Sequence, residues 1–164
     1  MHNIGSVSEA EVILSWVRSS DEVYGRPGCA MREEAPEGWE FLGRGSFRSV
    51  WRSPSGIAYK VNHDDHDQQS RDEADNLREA WKRGVPDGCR LPEFNLLEIG
   101  EEVVVAVEVI NGSTLYEYSS EGNGAGHLYD LLRKVENMFL LGDLHDENAM
   151  VDEDGLLVVV DFGG

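Results

Sequence analysis

The chain has 164 residues and a formal net charge of −18, from 32 acidic and 14 basic side chains. That length suits one domain with a single sizeable core. So acidic a chain repels nucleic acid and anionic membranes and favours basic partners. No apolar run reaches the roughly 18 residues of a membrane span, and "MHNIGSVSEAEV" lacks a basic region followed by an apolar one. We therefore expect a soluble, unsecreted, cytoplasmic protein with no nucleic-acid or membrane partner. Cys29 and Cys89 fit neither a disulfide framework nor a CxxC metal spacing. The acidity serves solubility and a few functional carboxylates, or else a charge-based role such as imitation of DNA.

In chain order, "SVSEAEVILSWVRSS" over 6–20 predicts a helix: Ser6 stands three before Glu9 as in a capping box, and Val7, Ala10, Leu14 and Val17 share a face. The Gly- and Pro-bearing stretch 24–39 reads as a connection. From Trp39, "WEFLGRGSFRSVWRSPSGIAYKV" predicts consecutive antiparallel strands, the first bent around Gly43-Arg44-Gly45 and a later turn at Ser53-Pro54-Ser55-Gly56. Residues 69–83 predict a helix with Glu73, Leu77, Ala80 and Trp81 on one face, ended by Gly84 and Pro86. "FNLLEIG" and "EVVVAVEVI" predict two strands joined by a short turn. "GHLYDLLRKVENMFLL" predicts a helix with a stripe of Leu128, Leu131, Leu132 and Val135. "AMVDEDGLLVVVDF" predicts a hairpin turning at Asp154-Gly155. The expected class is α+β with an antiparallel sheet.

Several residues in this frame suit phosphate chemistry. Gly43 and Gly45 allow the backbone to approach phosphate oxygens, and Phe47 at the loop tip can cover them. Lys60 lies between Tyr59 and Val61 in a strand with one buried face, where an unpaired ammonium would be costly. The following helix offers Glu73 or Glu79 as its partner; Glu73 is favoured because it shares the apolar face with Leu77 and Trp81.

In order along the chain, the Gly43-x-Gly45-x-Phe47-x-x-Val50 loop, Ala58-Tyr59-Lys60, Glu73, Asp143-x-x-x-x-Asn148 and Asp161-Phe162-Gly163 together resemble the protein-kinase superfamily. "Gly142-Asp143-Leu144-His145-x-x-Asn148" is similar to the aminoglycoside and choline phosphotransferase branch rather than to kinases with H-R-D. The resemblance implies a kinase-like small lobe, an antiparallel sheet with its characteristic helix, over 39–110. A minimal large lobe would cover 111–164, with residues 1–38 as an added helix and connection. It implies ATP and Mg²⁺ as cofactors, Asp143 as the base for an attacking hydroxyl, and Lys60 and Glu73 organising phosphate. Asn148 and Asp161 would hold the metal. "AVEVINGSTL" would be the hinge, with Val107 as gatekeeper, the backbone of Glu108 and Ile110 bonding adenine, and Val50 and Ala58 stacking on it.

The chain also departs from that family. Leu141 and Gly142 stand where His and Arg are usual, and Arg48 stands where many kinases have a third loop glycine, so Arg48 itself is a candidate phosphate contact. The pattern stops at Asp-Phe-Gly, before an activation segment or substrate-docking helices, and the added N-terminal helix is expected to pack where that support is lacking. Three functions remain open: a minimal Mg-ATP kinase acting on a Ser, Thr or other hydroxyl of a partner protein, a kinase-like binding module that occupies a basic partner, and a small-molecule phosphotransferase. Short chains of this type resemble the compact kinases of bacteriophages. A dimer could supply the missing surface from a second copy.

Overall fold

A computed structural model describes residues 3–20 in full, the backbone of 21–24, and residues 35–45, 47–63, 67–139, 144 and 146–160. The described residues form four helices, α1 (Val7–Tyr24), α2 (Asp67–Arg83), α3 (Leu115–Ser120) and α4 (Gly126–Phe139). The strands are β1 (Glu40–Arg44), β2 (Arg48–Arg52), β3 (Ile57–Asn62), β4 (Cys89–Arg90), β5 (Phe94–Ile99), β6 (Glu102–Glu108), β7 (Gly112–Thr114), β8 (Ala149–Asp152) and β9 (Leu157–Val159). The class is α+β, as expected. One sheet is antiparallel in the order β1-β2-β3-β6-β5, and the other runs β4-β9-β8-β7. Among the described residues no helix is long and apolar enough to cross a membrane. The chain divides into two compact units, Met1–Ala74 with Glu93–Val109, and Asp75–Pro92 with Ile110–Gly164.

In the first unit, strand alternation gives the five-stranded sheet two distinct faces. Trp51, Tyr59, Val61, Leu97, Val104 and Ala106 form one of them, and α1 covers it with Ala10, Ile13, Leu14 and Val17. α1 therefore seals this face of the sheet, because its apolar stripe matches it. Val7, predicted on the stripe, is 47% exposed, and Ile13 takes its place in the core. The capping box is only half formed. Ser6 Oγ accepts the Glu9 N–H at 3.1 Å, but the Glu9 carboxylate does not return to the Ser6 N–H. Instead Ser6 N–H donates to the buried Tyr59 hydroxyl, which donates to Glu9 Oε1 at 2.7 Å. Burial, and donation to that carboxylate, push the Tyr59 phenol up to about 12. The sheet thus takes part in capping the helix that covers it.

The other face carries Val50, Ala58, Lys60, Val105 and Val107, paired across strands as Val50↔Lys60, Lys60↔Val105 and Ala58↔Val107. Buried Asn62 anchors the start of α2: its Nδ2 donates to Asp67 Oδ1 and Val103 O, and Ser70 Oγ donates to its Oδ1 at 2.7 Å. Within α2 the residues Glu73, Ala74, Leu77 and Ala80 are buried. Trp81, expected with them, is 40% exposed and donates its indole N–H to Pro92 O. Gly84 ends the helix by donating to Ala80 O.

In the second unit α4 buries Leu128, Leu132 and Val135, while Leu131 is half-buried. The predicted hairpin is present as β8 and β9, and Asp152 organises its turn by accepting the N–H groups of Asp154 and Leu156 and the Nε–H of Arg90. Three short elements were not foreseen: α3, whose first turn is capped by Thr114, and β7 and β4 on the two edges of the second sheet. β4 pairs with β9 in parallel, so the architecture is not antiparallel throughout.

Candidate functional site

The centre of the candidate site is one buried carboxylate. Glu73, 1% exposed, accepts Lys60 Nζ on Oε1 at 2.5 Å and the Arg48 guanidinium on Oε2. The side chains of Lys60 and Arg48 are 11% and 14% exposed, so both cations lie nearer the surface than the acid they share. Lys60 reaches Glu73 because it is inward on β3, and Glu73 is carried in by the buried stripe of α2. Burial works to raise the Glu73 carboxyl, but the charges of Lys60 and then Arg48, with their hydrogen bonds, outweigh it and hold the group below its ordinary value. Glu79, the other partner considered, is exposed.

Beside this group β1 and β2 meet at the glycine corner, where Gly45 N–H donates to Arg48 O at 2.8 Å and Phe47 O accepts His63 N–H at 2.7 Å. Neither Gly43 nor Gly45 has a left-handed φ. A Cβ on Gly43 would meet nothing within 4 Å, and one on Gly45 would come no closer than 3.9 Å to Arg48 O. Among the described residues no neighbouring atom crowds a side chain at either position. Gly43 follows a register irregularity in the β1–β2 ladder, between Phe41 and Gly43, and Gly45 lies just past the end of β1; glycine at such places marks a bulge or a close backbone approach. Phe47, beside the corner, is 42% exposed. Val50 and Ala58 share the Lys60 face, and Val107 pairs with Ala58. The Glu108 N–H donates to Glu93 O at 2.9 Å.

The remaining candidates belong to the second unit. Asp143 and Asp161 lie outside the described residues. Asn148 precedes β8, and its carbonyl accepts Val160 N–H at 3.0 Å. Asp146, two residues earlier, accepts Tyr129 OH on Oδ2 at 2.7 Å and Tyr116 N–H on its carbonyl at 3.2 Å. The segment carrying Asn148 is thereby held from α4, α3 and the end of β9. Accepting the phenol's proton in that bond, Asp146 raises the Tyr129 pKa. Sequence reasoning missed both Asp146 and the Arg48–Glu73 contact. Arg48 could have been found from strand parity, since it stands two residues before Val50 and hence on the same face. Ile110 is buried at the start of this unit's second segment.

An amide oxygen and a carboxylate, the donors of Asn148 and Asp161, are hard ligands of the kind Mg²⁺ takes. Among the described residues no group of three or more His, Cys, Asp or Glu is gathered as a metal site. No protein-family model matches this chain, and a search of curated proteins finds no match.

Proposed function

We propose that the protein is a kinase-like phosphotransferase that uses Mg-ATP and passes the γ-phosphoryl group to a Ser, Thr or other hydroxyl of a partner protein. The observation that carries this reading is the buried Lys60–Glu73 pair, third strand to following helix, beside the corner of Gly43 and Gly45, which is uncrowded among the described residues. A five-stranded sheet with that helix inserted after its third strand supports it as well. In this reading Lys60 orients the phosphates and Glu73 keeps its ammonium in place. Asp143 accepts the proton of the acceptor hydroxyl as its oxygen bonds to the γ-phosphorus and the bridge to the β-phosphate breaks, releasing ADP. Asn148 and Asp161 would hold Mg²⁺, which neutralises phosphate charge when bound.

The test is transfer from γ-labelled ATP in a cell lysate, with intact-mass analysis of acceptors, comparing wild type with Asp143→Asn and Lys60→Met. Label should reach an acceptor only with Mg²⁺ present and disappear in both variants. Undiminished transfer by Asp143→Asn would sink the proposal. The charge of −18 favours a second reading, a kinase-like module that occupies a basic partner without transfer. Its signature in the same experiment is a bound basic protein and no label.

A further inference from the structure

We propose that Arg48 is a second cationic ligand for the phosphate chain of the nucleotide, acting alongside Lys60; this rests on the nucleotide-binding reading above. Arg48 opens β2 directly after the glycine corner, and its own carbonyl closes that corner through Gly45 N–H. Its side chain leaves the sheet on the face of Val50 and Lys60, given the pairings Arg48↔Asn62 and Val50↔Lys60. Among the described residues its guanidinium is engaged through Nη1 alone, on Glu73, and the side chain keeps its outer edge at the surface. Glu73 thus holds one corner of the guanidinium, and among the described residues its other N–H donors are open to a ligand.

A guanidinium presents donors in a rigid fork that fits phosphate oxygens two at a time. A purely structural counter-ion for Glu73 would have no need to stand at the corner where two glycines leave the backbone open. The geometry suits a polyphosphate approaching across Gly43 and Gly45, met by the Arg48 fork at one edge and the Lys60 ammonium at the other. Both would be preorganised on one carboxylate, so little side-chain freedom is lost when the anion arrives.

Calorimetric titration of the full chain with Mg-ATP, inorganic tripolyphosphate and adenosine separates the outcomes. Arg48→Ala should weaken ATP and tripolyphosphate by roughly ten- to a hundredfold, the range for a lost charge-assisted hydrogen bond, and leave adenosine unchanged. Arg48→Lys keeps a cation on Glu73 and so guards against misfolding; it should restore part of the ATP affinity, since a point charge replaces a fork. If both variants keep the wild-type ratio of ATP to adenosine affinity, Arg48 only braces Glu73 and the proposal fails while the nucleotide reading stands. Tripolyphosphate binding that depends on Arg48, with no gain from the adenosine moiety, would uphold the anion site and overturn the nucleotide reading. A wild type that binds none of the three overturns both.

Discussion

At Glu73 the carboxylate is worth more to the fold than its single charge suggests, because two cations depend on it. Glu73→Gln leaves Lys60 and Arg48 facing a neutral amide and should cost about 3 kcal/mol, the scale for breaking a buried ion pair from one side. Glu79→Gln, on the exposed side of the same helix, should stay within about 0.5 kcal/mol in chemical denaturation. The pH dependence follows from the lowered Glu73 pKa. In the unfolded chain the group protonates near 4.5, while the folded protein resists protonation until lower pH. Its stabilising share is therefore complete above the unfolded value, shrinks as pH falls through it, and is gone below the folded value. The margin of wild type over Glu73→Gln should be constant from about pH 7 to pH 5 and narrow below that. A margin that widens on acidification would contradict the assignment.

Among the elements, β7 depends on one atom's absence. A Cβ on Gly112 would lie 1.9 Å from Val151 O, across the β7–β8 ladder where Gly112 faces Asp152. Gly112→Ala must part those strands and should destabilise the second unit by about 3 kcal/mol or more. Gly56, at φ +87 with open space around it, is the comparison: Gly56→Ala strains only the backbone, by about 1–2 kcal/mol. Amide exchange measured on both variants distinguishes loss of the β7–β8 ladder from general weakening. Helices α2 and α4 were legible because their apolar residues repeat, and the short β8–β9 hairpin because Asp154-Gly155 marks its turn. Elements of two to six residues, β4, β7 and α3, have no room for a period. The two residues of β4 are a strand only because Leu157 and Val158 lie alongside them, a pairing that no local pattern encodes.

For the whole molecule, a net charge of −18 makes self-repulsion a general load on the folded state. Raising ionic strength from about 0.01 M to 0.15 M, which shortens the screening length from about 30 to 8 Å, should raise the melting temperature. A fall would mean that pairs such as Arg18–Glu102 and Arg90–Asp152 outweigh the general repulsion. Of the candidate site, the Lys60–Glu73 contact was legible because each residue interrupts an apolar face and has a use for the other. The Arg48–Glu73 contact was recoverable only through strand parity, and the Tyr129–Asp146 bond was not legible, since an acid beside other acids reads as solvated until tertiary packing brings its partner close. The bare space over Gly43 has its own consequence for how this sequence would respond to selection. Gly43→Ala adds a methyl group that meets nothing and should stabilise the free protein by about 0.5 kcal/mol in thermal or chemical unfolding. A library ranked by heat resistance would fill that position early, whereas, on the proposed nucleotide-binding function, one ranked by nucleotide retention would empty it again.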